Sequence, residues 1–125
     1  MSTVSPAAGP AVLVVEDEAL VLMLIEETLT DHGFCPVGPA SRLAEALELA
    51  ATRRLDAAVL DINLNGEEVF PVVELLAARG VPFLFLTGYG RKGLRGRWSN
   101  APVMQKPFAP DELVRRLGQL IVPSP

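Results

Sequence analysis

Five residues with charged or hydroxyl side chains follow short apolar runs of this sequence, each near the point where a buried strand would end. They are Glu16, Asp17, Asp61, Thr87 and Lys106. The carboxyl ends of parallel strands lie at one edge of an open α/β sheet, which is where such folds place their sites. We therefore expect one pocket that contains three carboxylates, a hydroxyl and an ammonium.

Three carboxylates in one pocket repel one another, and a like-charge pair about 4 Å apart costs on the order of 4 kcal/mol at an effective dielectric of about 20. A counter-ion is therefore expected. An all-oxygen site with few protein ligands suits Mg²⁺, which keeps several of its waters. We expect Glu16, Asp17 and Asp61 to hold the metal, together with the backbone carbonyl of Asn63.

This charge balance favours phosphoryl transfer, which depends mainly on positioning and on charge neutralisation. Asp61 is the expected nucleophile and would form an acyl phosphate. Thr87 and Lys106 would each bond a phosphoryl oxygen, and the added negative charge would pull the Thr87 loop inward. Each residue alone has an ordinary structural explanation, such as an acidic pair at a helix start. The joint order of all five favours the chemical one.

The segments between these residues alternate between strand-like and helix-like patterns, which is typical of repeated βα units and a parallel sheet. The strand-like runs are continuously apolar, as expected when helices cover both faces of the sheet. We place the strands near 11–16, 34–37, 56–61, 82–87 and 102–105.

Four helices are predicted, over about 18–31, from Ser41, over about 67–79 and from Pro110. The spacing of apolar residues assigns the buried face of the first to Val21, Leu24, Ile25, Thr28 and Leu29. Pro71 is tolerated only near a helix start, so the third helix should become regular late. Residues 88–100 lack an apolar period, which predicts a loop or one weak turn there.

Length and composition indicate one domain over 11–121, with a flexible arm over 1–10, a tail over 122–125 and no output domain. The net charge of −4 argues against nucleic-acid binding. The single cysteine suits a reducing compartment, and no apolar run approaches the roughly 18 residues of a membrane span. We therefore expect a cytoplasmic protein without a membrane partner.

Four segments of the chain resemble the receiver domain of two-component response regulators. They are Val14–Glu18, Leu60–Leu64, Leu86–Gly88 and Lys106–Phe108. The resemblance implies a flavodoxin-like three-layer fold, with a five-stranded parallel sheet and helices on both faces. It also implies phosphorylation of Asp61 by a histidine kinase with Mg²⁺ as cofactor and signalling through protein contacts. We expect a signalling protein that is not an enzyme.

One departure from the family concerns the switch. The family often has Tyr or Phe at the position of Val103, coupled to the hydroxyl loop. The segment between Thr87 and Lys106 is also a few residues short, and together with Phe85–Gly90 and Pro102–Lys106 these features resemble the FATGUY branch of receivers. We expect the fourth helix to be short or replaced by a loop. That branch implies an HWE-type kinase as partner. We expect Thr87, Tyr89 and Val103 to form the switch.

Five residues are candidates for docking a protein partner, and two alternative functions remain open. Candidate docking residues are Leu20, Met23, Arg91, Arg95 and Trp98. The downstream protein is not specified by the sequence, and we expect a monomer or weak dimer. One alternative is a degenerate receiver that binds partners without phosphorylation. The other is a haloacid-dehalogenase-type phosphatase, which usually has a second acid at the position of Asn63.

Overall fold

The computed structural model of this chain describes residues 9–88, 93–94 and 96–121. Its centre is a parallel sheet in the order β2-β1-β3-β4-β5. The strands are β1 (Ala11–Val15), β2 (Cys35–Ala40), β3 (Ala57–Asp61), β4 (Phe83–Thr87) and β5 (Val103–Gln105). The chain leaves β1 for one side of the sheet and returns to place β3 on the other. Such a switch point opens a crevice at the carboxyl ends of the strands.

Helices cover both faces of this sheet, and the predicted three-layer flavodoxin-like fold is confirmed. The helices are α1 (Ala19–Asp31), α2 (Leu43–Thr52), α3 (Phe70–Ala78) and α4 (Pro110–Ile121). Side chains alternate between the two faces of a strand. Leu13 and Leu60 therefore join the core under α2 and α3, whereas Val12 and Val59 join the core under α1 and α4. Among the described residues, none of the helices combines the length and apolar character needed to cross a bilayer.

Two boundaries differ by three residues from the sequence-based prediction. β2 runs to Ala40 instead of ending near 37, because it stays paired with β1 through an irregularity in register beyond Leu13. Gly38 has a φ of +102°, which glycine tolerates at this irregularity. α3 begins at Phe70, later than the expected start near 67, as the position of Pro71 indicated.

The residues before α3 form a small hairpin instead. Its strands are Asn63–Leu64 and Glu67–Glu68, which pair antiparallel. Asn65 and Gly66 connect them with positive φ angles of 50° and 89°. Positive φ at both central residues is the conformation of a type I′ turn, for which Asn-Gly is a preferred sequence. The hairpin therefore projects directly beyond the end of β3.

The predicted absence of a regular fourth helix before β5 is confirmed for the described part of residues 88–100. Its regular structure is a single 3₁₀ turn at Gly96–Trp98. Trp98 packs edge-on against Phe83 of β4, with ring centroids 5.5 Å apart. Arg97 lies over the Trp98 ring and forms an ion pair with Glu74 of α3 at 3.0 Å. The turn is thus held against the sheet and α3.

The predicted buried face of α1 is partly wrong. Ile25, Thr28 and Leu29 are buried as expected, but Leu24 is 37% exposed. The sheet is covered on this face by both α1 and α4, and the buried stripe of α1 is narrower than its apolar spacing suggests. Leu24 lies instead beside Leu20 and Met23, which are 81% and 53% exposed.

Candidate functional site

The carboxyl edge of the sheet brings together the predicted strand-end residues. Asp61 is the last residue of β3, and Thr87 is the last residue of β4. Lys106 follows β5 directly, and its backbone N–H donates to the Thr87 carbonyl at 2.8 Å. Glu16 follows β1, and its N–H donates to the Ala40 carbonyl at 3.0 Å, extending the ladder by one residue. Backbone pairing therefore sets the position of each functional side chain.

The Lys106 ammonium is the centre of the site. Its Nζ lies 3.0 Å from Oε1 and 3.1 Å from Oε2 of Glu16, and 3.4 Å from Oδ2 of Asp61. The same Nζ donates to Oε1 of Glu18 at 2.9 Å. The Lys106 side chain is only 12% exposed. One nearly buried cation thus contacts the carboxylates of three residues from two segments of the chain.

Glu16 is the most deeply buried acid of the site, with no exposed surface. Burial raises the pKa of Glu16 to about 7, and the charge of Asp61 adds to this, although the hydrogen bond from Lys106 opposes it. Its Oε1 lies within ion-pair distance of Lys106 but accepts no hydrogen bond. A buried carboxylate oxygen with an unused acceptor position fits a site that takes a further cation.

Asp61 is the predicted nucleophile, and it lies beside the open part of the site. Burial raises the pKa of Asp61, whereas Lys106 and the backbone N–H of Asn63 lower it and the charge of Asp17 raises it. The Asn63 N–H donates to Oδ1 of Asp61 at 3.4 Å. Asp61 therefore has one oxygen facing Lys106 and the other facing the hairpin.

The charged form of Lys106 is favoured despite its burial. Burial lowers the pKa of Lys106, but hydrogen bonds to Glu18 and Glu16 and the negative charges of Glu16 and Asp61 outweigh it and raise the pKa overall. The ammonium consequently stays protonated at any physiological pH. It provides a permanent positive charge next to the nucleophile.

The Asp17 carboxylate contacts the hairpin that follows β3. Its Oδ2 accepts the backbone N–H of Asn65, in the hairpin turn, at 2.8 Å. Its charge still acts on Asp61. The carboxylate oxygens that approach within 4.8 Å of one another belong to Glu16, Glu18 and Asp61. Asp17 as a metal ligand therefore stays a prediction, as does the backbone carbonyl of Asn63.

An open cavity of about 630 Å³ lies over these groups. Its lining includes Asp61, Asn63, Thr87, Lys106 and Glu18. Thr87 is almost fully buried at the cavity wall. Gly93 closes part of the rim and packs so closely that an added Cβ would lie 3.2 Å from Ile62. The cavity is large enough for a phosphoryl group and its waters next to Asp61.

Glu18 is the site residue that the sequence analysis missed. It was assigned to the start of the first helix, where acids are common. In the structure it is the N-cap residue of α1, yet its side chain makes no capping hydrogen bond and reaches Lys106 instead. The three consecutive acids Glu16, Asp17 and Glu18 at a strand end were the available signal.

The donor set fits Mg²⁺. It consists of carboxylate oxygens, one of them buried and without a hydrogen bond, and hard cations prefer such ligands. Glu16 and Asp61 are the residues best placed to hold the ion, with Asp17 and Glu18 adjacent.

The remaining predicted residues have varied positions. Val103 is half-buried in β5, paired with Phe85, and packs into the core under α2 and α3. Trp98 is half-buried and packs against Phe83, and its role in docking stays a prediction. The predicted switch residue Tyr89 and the predicted docking residues Arg91 and Arg95 lie outside the described residues.

Comparisons with known proteins agree with this geometry. The chain matches the response regulator receiver domain family over residues 12–118. It is 32% identical over 118 residues to the transcriptional regulatory protein PdtaR of Mycobacterium tuberculosis, covering 90% of this chain and 58% of that protein. The chain spans about half the length of the relatives it matches.

Solved structures show the same fold. SdrG from Sphingomonas melonis Fr1 superposes with a TM-score of 0.80 and 40% identity, over 95% of this chain and 100% of that one. A second SdrG structure, in the BeF3-activated conformation, has a TM-score of 0.76 and 40% identity over 92% and 99% of the two chains. The receiver domain of sensor histidine kinase PA1611 from Pseudomonas aeruginosa PAO1, with magnesium in its active site cleft, has a TM-score of 0.75 and 27% identity over 91% and 98%.

The family match covers residues 12–118, which is nearly all of the folded part of the chain, and this match defines the class of the protein. It belongs to the response regulator receiver domain family of two-component signalling. Receiver domains are signalling modules. The predicted family is confirmed.

Proposed function

We propose that this chain accepts a phosphoryl group on Asp61 from a histidine kinase, with Mg²⁺ bound beside it, and signals through protein contacts. The observation that carries this proposal is the position of the Lys106 ammonium, within 3.4 Å of both Glu16 and Asp61 at the cavity that Thr87 lines. The SdrG structure in a BeF3-activated state supports it, because that protein shares 40% of its residues with this chain.

In the proposed reaction, an Asp61 carboxylate oxygen attacks the phosphorus of a phosphohistidine. An O–P bond forms, the P–N bond breaks, and the imidazole leaves with the bonding electron pair and takes up a proton from water. Lys106 neutralises charge on one phosphoryl oxygen, and the Thr87 hydroxyl donates to another. Mg²⁺, when bound, would neutralise the remaining charge of the acids and of the phosphoryl group.

The phosphoryl group is lost by hydrolysis, with water as the nucleophile. A water oxygen attacks phosphorus, the P–O bond to Asp61 breaks, and inorganic phosphate and the free carboxylate result. The cavity rim next to Asp61 controls access of that water. Asn63 and Gly93 are rim residues in the described part of the chain.

Incubation of the purified protein with acetyl phosphate and Mg²⁺ tests the proposal. We expect stoichiometric, acid-labile labelling that Asp61→Asn abolishes. Asp31→Asn is the matched control, because Asp31 is an exposed aspartate at the far end of α1. Continuous turnover would favour the phosphatase alternative, and no labelling would favour a phosphorylation-independent binding module.

We also propose that α1 docks the kinase, in keeping with the resemblance to receivers served by HWE-type kinases. Leu20, Met23 and Leu24 form an exposed apolar patch on the first turns of α1, next to the site at Glu16–Glu18. Leu20→Ser should slow transfer from an HWE-type histidine kinase several-fold and leave labelling by acetyl phosphate unchanged. Thr30→Ala, on an exposed position of the same helix, is the control. Equal slowing of both donors would contradict docking at this patch.

A further inference from the structure

All three protons of the Lys106 ammonium are taken up by hydrogen bonds within the site. An ammonium group carries three N–H donors. Three carboxylate oxygens within 3.4 Å accept hydrogen bonds from Nζ, one each from Glu16, Glu18 and Asp61. A phosphoryl oxygen on Asp61 therefore gains a hydrogen bond from Lys106 only if one of these acceptors is released.

The acceptors differ in what their release costs. Glu16 is fully buried, and losing Lys106 would leave its charge without compensation in the protein interior, which is strongly unfavourable. Glu18 is 62% exposed on its side chain, so water can replace Lys106 at its carboxylate. Exposed ion pairs contribute little to stability. Of the two glutamates, Glu18 is thus the acceptor that is released at lower cost.

The contact of Glu18 is specific and is not an incidental feature of a helix start. Glu18 is the N-cap residue of α1, but its side chain makes no capping hydrogen bond. Its backbone N–H donates to Oε2 of Glu16 at 3.1 Å, which fixes the backbone of Glu18 against the site. Its carboxylate then forms the shortest contact of the Lys106 ammonium, at 2.9 Å.

We infer that Glu18 is a positioning residue that occupies, with its own carboxylate, the place on Lys106 that a phosphoryl oxygen takes when Asp61 is phosphorylated. This inference rests on the proposed function of Asp61. It assigns Glu18 the role of an internal competitor that weakens the phosphorylated state. The strength of that competition sets how readily the site retains its phosphoryl group.

The test compares beryllofluoride binding to the full chain at saturating Mg²⁺ in the wild type, Glu18→Gln and Glu68→Gln. Glu68 also lines the cavity, so its variant removes the same charge from the same space. We expect Glu18→Gln to bind beryllofluoride about threefold more tightly than Glu68→Gln, the effect of losing one weak competing ion pair. Equal affinities of the two variants, or weaker binding by Glu18→Gln, would overturn the inference.

A second measurement follows Lys106 itself, without metal or phosphoryl analogue. Hydrogen bonding slows exchange of ammonium protons with water, so the Lys106 Nζ resonance should be visible by ¹⁵N NMR in the wild type. It should weaken in Glu18→Gln and persist in Glu68→Gln. An unchanged signal in Glu18→Gln overturns the inference alone. Absence of beryllofluoride binding by the wild type would instead overturn the proposed function, and the inference with it.

Discussion

Oδ2 of Asp17 accepts a hydrogen bond from the backbone N–H of Asn65 at 2.8 Å, across 48 positions of sequence. The bond joins the acidic loop after β1 to the hairpin turn after β3. The Asn65 N–H that reaches Asp17 belongs to the turn in which Asn65 and Gly66 hold positive φ angles. The turn conformation therefore bears on the geometry of the acidic site.

The first prediction concerns that turn. Gly66→Ala should lower the free energy of unfolding by about 1 kcal/mol, because an L side chain is strained at the φ of +89° while its Cβ meets nothing within 4 Å. Gly118→Ala is the matched control. Gly118 lies inside α4 without a positive φ, so alanine should stabilise there by up to about 1 kcal/mol. Urea unfolding of both variants measures the two signs. Destabilisation of equal size in both would contradict the turn assignment.

The second prediction concerns repulsion within the metal-free site. Asp61→Asn should raise the Tm in EDTA by about 3–4 °C, on the order of 1 kcal/mol for a domain of this size. The reason is that burial and Asp17 together outweigh Lys106 and raise the pKa of Asp61, so its charge is unfavourable in the folded state. Thermal unfolding with EDTA and with Mg²⁺ measures the effect.

Glu67→Gln controls for net charge in that experiment, because Glu67 is an exposed acid of the hairpin outside the carboxylate cluster. Its Tm should stay close to that of the wild type. In Mg²⁺ the gain of Asp61→Asn should shrink or reverse. A lower Tm of Asp61→Asn in EDTA would show that the acids do not share one electrostatic environment.

The third prediction concerns pH. The pKa of Glu16 rises from its ordinary value of 4.5 to about 7 through burial, so the folded protein binds a proton that the unfolded chain releases. The contribution of Glu16 to the stability of the metal-free protein is therefore fully present below about pH 4.5 and is lost as the pH rises through about 7. Between about pH 4.5 and 7, the free energy of unfolding of Glu16→Gln should therefore fall by on the order of 2 kcal/mol less than that of the wild type. Urea unfolding across the range, in EDTA, provides the measurement.

Asp61 contributes a slope of the same sign and its charge also acts on Glu16, so the comparison of wild type with Glu16→Gln reports Glu16 together with its coupling to Asp61. Identical slopes in the two proteins would contradict the burial of an ionised Glu16. Conversely, the difference should disappear when saturating Mg²⁺ is added, because a bound cation favours the ionised carboxylate.

The fourth prediction separates two interactions of the 3₁₀ turn. Trp98→Ala should lower the free energy of unfolding by about 2 kcal/mol, since the half-buried indole packs against Phe83 and the core. Arg97→Ala should lower it by less than about 1 kcal/mol, because both its ion pair with Glu74 and its contact with the Trp98 ring are exposed. Urea denaturation of both variants decides. Equal losses would mean that the ion pair, and not the indole, holds the turn.

Much of this protein could be read from local sequence. The continuous apolar runs before Glu16, Asp61 and Thr87 predicted parallel strands buried on both faces, and the fold confirms them. Parallel strands share one carboxyl edge, so convergence of these residues with Lys106 followed from the pattern alone. The late start of α3 likewise followed from Pro71, since proline constrains the backbone locally.

Tertiary structure decided which acids face Lys106. Glu16, Asp17 and Glu18 are adjacent in sequence, but Glu16 and Glu18 pair with Lys106 while Asp17 turns to Asn65. Lys106 is 90 positions from Glu16, so no local pattern encodes the contact. The exposure of Leu24 was likewise decided by how α1 and α4 share one face of the sheet. Backbone periodicity is a local property, whereas the direction of a loop side chain depends on the charges and packing that distant segments bring to it.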